Sequence, residues 1–128
     1  MRRDLELFRK ILLAIEDCPK PKAKSHELEA VLTPQGYTRE AIGYHIKMLE
    51  EEGCLGTSKA GINYDDHEWT FTEISLKADG HVLCEKTRSD DKWKTAVAQV
   101  GESTLAGLGP AGLRVVGDWI AQHLSNFG

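Results

Sequence analysis

The chain has 128 residues, 41% of them apolar and 28% charged, a balance that belongs to a globular protein rather than a disordered one. At this length about two thirds of the extended chain's surface is buried, enough for one ordinary core with a small helical annex and too little for a large two-domain enzyme. Sixteen Lys and Arg against twenty Asp and Glu leave a net charge of −4, which counts against non-specific nucleic-acid binding.

No apolar run is long enough to span a bilayer. Met1-Arg2-Arg3-Asp4 leads straight into charged amphipathic sequence without the apolar stretch of a signal peptide, so a cytoplasmic location is the expectation. Cys18, Cys54 and Cys84 are an odd set at wide spacing and form neither a disulfide framework nor a CxxC half-site.

Residues 4–17 read as a first helix. Leu5, Phe8, Leu12 and Ile15 recur at helical spacing with Ile11 beside them, and Asp4 stands at the cap position. Pro19 and Pro21 end it and begin a stiff connector whose Lys20-Pro21-Lys22-Ala23-Lys24 run reads first as a solvated loop. Ser25 is the expected cap of a short helix carrying Leu28, Val31 and Leu32, stopped near Pro34 and Gly36. Thr38 caps a third helix that runs to Gly53, where glycine suits a left-handed cap. Its Ile42, Ile46 and Leu49 fall within about 40° of one another at 100° per residue and form the buried stripe. Glu40, Tyr44, Lys47 and Glu51 fall opposite.

Cys54 to Thr57 and Trp69 to Ile74 are strand candidates that pair as a hairpin around a long polar tip, residues 58–68. Residues 76–88 return to helical character. Asp90 is the expected cap of a further helix with Trp93, Val97 and Val100. Gly101, Gly107, Gly109, Pro110 and Gly112 make helix continuity doubtful. A last helix from about Ala111 to Leu124 places Leu113, Val116, Ile120 and Leu124 on one stripe and Val115 and Trp119 on a second, so it is expected to be sandwiched within the fold or between two chains.

The charge is uneven. Residues 1–24 hold seven bases and four acids, whereas residues 25–53 hold two bases and six acids. Attraction to phosphates would therefore centre on the N-terminal segment.

Three helices followed by a hairpin is the order of a winged helix-turn-helix, in which the third helix enters the major groove. In the segment from Tyr44 to Leu55, His45 and Leu49 form a HxxxL pattern ahead of Gly53-Cys54-Leu55, similar to the helix-to-wing segment of bacterial winged-helix regulators. A second resemblance covers nearly the whole chain. The opening Met1 to Glu16, Gly36-Tyr37-Thr38 leading into Tyr44-His45, Gly80-His81, and Arg88 with Asp90 and Trp93 resemble a family of uncharacterised bacterial and prophage proteins. That resemblance implies a small, often phage-borne, winged-helix-like protein with a helical tail, and it brings no known activity. The chain departs from the family pattern at Lys77-Ala78.

The expected fold is therefore α+β, mainly α, with a winged helix-turn-helix in residues 1–76 and a helical extension in residues 77–128. The expected activity is DNA binding of the phage transcription-regulator type through Arg39, Tyr44, Lys47 and Lys59, which can reach bases or phosphates. The competing expectation is a winged helix used for protein contact, including self-association or inhibition of a host protein. Glu40, Glu50, Glu51 and Glu52 on the same helix favour it. A homodimer would be anchored by Trp93, Leu113, Val116, Trp119 and Ile120.

His45 is assigned to packing on the first helix ahead of a role at a base. His81 and Cys84 could present two zinc ligands one turn apart, but a structural hydrogen bond and a small buried hydrophobe are the favoured roles. No P-loop, dinucleotide fingerprint, HExxH or catalytic triad can be placed, so neither an enzyme nor a cofactor is expected.

Overall fold

A computed structural model describes residues 3–58, 61–63, 68–70 and 73–124. The elements in chain order are α1 (Leu5–Asp17), α2 (Ser25–Leu32), a 3-10 turn at Thr33–Gln35, α3 (Arg39–Glu51), β1 (Leu55–Ser58), β2 (Gly61–Asn63), β3 (Glu68–Thr70), β4 (Glu73–Leu76), α4 (Ala78–Thr87), α5 (Asp90–Val100), α6 (Glu102–Gly107) and α7 (Ala111–His123). The protein is thus mainly helical with a small antiparallel β component.

α1 is the spine. Asp4 caps it by accepting a hydrogen bond from the Leu7 N–H at 3.2 Å. Its buried face is wider than the 5-8-12-15 stripe, because Leu7 and Arg9 are buried as well. The reason lies in its neighbours: α1 packs against α2, α3 and β4 on one side and against α4, α6 and α7 on the other. The stripe of Glu6, Lys10, Leu13 and Asp17 is left partly open to solvent. The buried apolar residues from Leu5 to Ile74 and from Leu83 to Ile120 accordingly form a single cluster, and the core does not divide at residue 76.

The connector after α1 does more than span a gap. Ala23 is buried and forms a β-bridge with Ile74, the two exchanging N–H to carbonyl bonds of 2.8 and 2.7 Å. β4 therefore has β1 on one edge, in the register Leu55 opposite Leu76 and Thr57 opposite Ile74, and a single residue of the connector on the other. The second helix is capped one residue earlier than expected. Lys24 holds the cap position, its N–H donating to Glu27 Oε1 at 3.2 Å, and Ser25 is already helical.

The hairpin is longer than expected. β2 and β3 continue it, pairing Gly61 with Thr70 and Asn63 with Glu68, where the sequence suggested a loop over residues 58–68. β3 lies against α3. Downstream, Ser89 rather than Asp90 caps α5, its hydroxyl accepting from the Lys92 N–H at 3.3 Å, which frees the Asp90 carboxylate for another partner. The glycine-rich stretch contains a helix after all. α6 forms between breaks at Gly101 and Gly109, whose φ angles of 104° and 64° are left-handed and cost little only for glycine. Gly112 then lets α7 pass close to α6: a Cβ there would meet the Leu105 carbonyl oxygen at 2.6 Å.

Candidate recognition face

α3 is fixed to the body by its stripe and by its ends. Ile42, Ile46 and Leu49 are each at most 1% exposed. The Thr38 hydroxyl accepts from the Ala41 N–H at 3.1 Å at the start, and Gly53, with φ 79°, ends the turn beyond the helix. At the C-terminal end Glu50 accepts from the Thr57 hydroxyl of β1 and from Lys47 Nζ at 3.1 Å. The Thr57 hydrogen bond, ahead of the Lys47 charge, holds the Glu50 carboxyl below its ordinary range.

His45 joins α3 to the start of α1. Its ring is 1% exposed and sits 4.5 Å from the Phe8 ring, centre to centre. Nε2 accepts from the Asp4 backbone N–H at 2.8 Å and Nδ1 lies 2.7 Å from the Ala41 carbonyl oxygen. An acceptor at Nε2 and a donor at Nδ1 define the neutral ring with its proton on Nδ1. Burial lowers the pKa, and the Ala41 hydrogen bond and the Asp4 charge only partly oppose it. The packing role assigned from sequence is the one the ring occupies.

The residues expected to contact DNA do not share one environment. Arg39 is half exposed, with Nε 3.2 Å from Glu29 Oε2. Lys47 is engaged by Glu50, as above. Tyr44 is half buried, edge-on to His45 at 5.5 Å between centres. Lys59 lies outside the described residues. Glu40, Glu51 and Glu52 are exposed. The accessible face of α3 therefore carries carboxylates without ion pairs among the described residues, beside cations that already have carboxylate partners.

The five residues expected at a dimer contact lie mainly inside the chain. Leu113 and Val116 are fully buried, and Trp93 and Ile120 are 4% and 5% exposed, all within the single core. Trp119 is half buried, stacked on His123 at 4.4 Å. The large apolar side chains that α7 leaves on its surface are Val115 and part of Trp119, set among the exposed Arg114, Asp118, Gln122 and His123.

The residue that sequence reasoning passed over is Arg9. It is 3% exposed and donates to the Thr87 carbonyl (2.8 Å), the Arg88 carbonyl (3.1 Å), Glu6 (3.1 Å) and Asp90 (2.6 Å). Its guanidinium lies 5.0 Å from the centre of the Trp93 ring, and the Trp93 indole N–H donates to Glu6 at 2.6 Å. The two carbonyls belong to the end of α4, where helix acceptors lack intrahelical donors and a cation is favoured. The available signal was a lone arginine between Leu5 and Leu12 on the apolar side of the first helix.

The thiols have structural surroundings. Burial, with the Glu16 carboxylate next, pushes the Cys84 thiol far up. Glu16 is itself lowered, because hydrogen bonds from Arg88 (2.5 Å) and Cys84 outweigh the effect of its partial burial. His81 is exposed, 3.7 Å from Glu16. Among the described residues no group of His, Cys, Asp or Glu could hold a metal ion, and no helix is long and apolar enough to cross a membrane.

No curated protein and no solved structure matches the chain. Residues 2–106 match the family described as "Hypothetical protein (DUF2513)", and with more than half of its length inside that match the chain belongs to this family.

Proposed function

We propose that the chain is a non-catalytic winged helix-turn-helix module that works by docking on another protein. The winged-helix reading is supported by three helices followed by a hairpin, together with the Ala23 bridge, which ties the connector between the first and second helices to β4. The protein-docking reading rests on one observation: Arg39 and Lys47 each have a carboxylate within 3.2 Å, while Glu40 and Glu51 point outward beside them. Affinity for duplex DNA comes largely from cations that neutralise phosphates. Here they would first have to leave their carboxylates and then approach past two more.

A second reading keeps duplex DNA as the partner, with α3 in the major groove, Arg39, Tyr44, Lys47 and Lys59 as contacts, and a role in phage-type transcription regulation in the cytoplasm. The element order favours it, as does the run of exposed Lys20, Lys22 and Lys24 ahead of α2, although Lys20 and Lys22 lie 3.7 and 3.2 Å from Glu27 and Glu73. A homodimer would present two such helices, and light scattering reads its mass.

Fluorescence-anisotropy titration with a panel of duplex fragments at low and moderate salt separates the two. The docking reading expects no binding even at low salt. Tight binding that is lost in an Arg39→Ala, Lys47→Ala double variant overturns it in favour of DNA.

A further inference from the structure

We infer that His45 is a proton-operated latch: its neutral ring holds the start of α1 against α3, and a proton on Nε2 releases residues 3 and 4 together with their tie to the junction between α6 and α7. The inference stands whichever partner α3 meets. The neutral ring has one accepting nitrogen, and the Asp4 backbone N–H occupies it at 2.8 Å, while Nδ1 faces the Ala41 carbonyl oxygen at 2.7 Å. A solvent proton can add only to the Nε2 lone pair. The new N–H would point at the Asp4 N–H, donor against donor, so the ring cannot take the charge while residue 4 stays in place.

What the latch holds is a short arm with a second anchor. Arg3 Nη1 donates to the Gly107 carbonyl at 2.8 Å, and a Cβ on Gly109 would lie 3.8 Å from Arg3 Cδ and 3.2 Å from Met48 Cε. The arm therefore lies where α1, α3 and the α6–α7 junction meet. A cavity of about 700 Å³ borders the ring, with Arg3, Asp4, Tyr37, Glu102 and Ser103 in its wall, and it gives a released arm and incoming water space outside the core.

The charged and titratable groups around the ring are Asp4 and Arg3 at the start of α1, Tyr37 ahead of α3, Tyr44 on α3 itself and Glu102 on α6. Burial favours the neutral ring, and the Ala41 hydrogen bond and the Asp4 charge oppose it only in part. Asp4 is no ready counter-ion, because its Oδ1 accepts from the Leu7 N–H at 3.2 Å as the cap of α1. Turning it to the ring would uncap the helix, so a proton loosens this first turn by either route.

The test is an NMR titration of the full chain between about pH 8 and about pH 5, reading the His45 ring carbons, hydrogen exchange at the Asp4 amide and the amide shifts of Gly107 and Gly109. Protection of the Asp4 amide, corrected for intrinsic exchange, should be constant above about pH 6.5, fall by up to about tenfold per pH unit below it, and level off once the folded ring has titrated. Gly107 and Gly109 should shift with the midpoint of the ring, while the core amides of Leu12 and Val116 stay in place. His45→Gln, whose side-chain oxygen can accept from Asp4 at any pH, should remove the transition from both places. Arg3→Ala, at an exposed position, should leave it at Asp4 and abolish it at Gly107 and Gly109. Movement of every amide at that midpoint would mean global unfolding and overturn the latch, as would an Asp4 amide or a junction that ignores the ring. Neither result touches the docking reading, which the duplex titration tests at neutral pH with the latch closed.

Discussion

Two cationic sites, at opposite sides of α1, teach different lessons about charge. Where α1 meets α4 and α5, Arg9 is enclosed, and each of its contacts replaces a water it has lost. On α3, Arg39 and Lys47 also touch carboxylates at 3.2 and 3.1 Å, yet their side chains stay 54% and 38% exposed. The distances are alike; the surroundings are not. A buried ion whose partners are removed is strongly penalised, whereas an exposed pair is worth little. The first site holds the two halves of the chain together, and the second leaves them almost unaffected while deciding what the surface can attract.

The sharpest way to break this comparison is at Arg9. Arg9→Ala should cost about 3–5 kcal/mol in urea denaturation, since the α4 carbonyls and the Glu6 carboxylate lose a shared donor. Arg9→Lys should recover little of it, because an ammonium cannot reproduce the fork. A loss below about 1 kcal/mol in either variant would show that the site is solvated in solution.

His45 offers a test of intermediate size, through pH. Its folded pKa lies below the ordinary value of 6.5. Below about pH 6.5 the unfolded chain therefore binds the proton more readily than the folded one. Stability should be complete above that pH and fall as the pH drops toward the lowered folded value. His45→Gln should cost about 1–2 kcal/mol at neutral pH and abolish this slope. It should leave intact the later acid loss near and below pH 4.5, where Glu16, Glu50 and Asp90, all with lowered pKa values, take up protons. An unchanged slope would mean that another histidine carries it.

The smaller effects lie on α3. Thr38→Ala removes the hydroxyl that accepts from Ala41 and should cost about 1 kcal/mol, measured by thermal unfolding. Arg39→Ala should change stability by less than about 1 kcal/mol. A larger loss there would place Arg39 in the class of Arg9 and would argue that its pairing holds the fold rather than merely occupying the surface.

Much of α3 was legible in the sequence because its signals are local. Thr38, the Ile42-Ile46-Leu49 spacing and Gly53 act within a few residues of one another and correspond to the cap, stripe and terminus observed. The hairpin was legible in part. The Trp69 to Ile74 pattern announced a strand, but β3 and β4 are separate elements, and the polar residues between the expected strands hid β2. The Ala23 bridge was not legible, since one small residue between two lysines and just after two prolines carries no periodicity, and its partner lies fifty-one positions away.

The two sides of α1 mark the same division for the whole molecule. Helix starts and stops, the buried stripes of α3 and α7, the surplus of acid around the third helix and the mainly helical class follow from neighbours in sequence, because capping, periodicity and charge act over one or two turns. Which charged residues became part of the interior was decided only when the chain closed on itself. Arg9 is buried because residues 87, 88 and 90 return to it. Desolvation depends on everything that surrounds a group, and for this arginine most of the surroundings arrive from the far end of the chain.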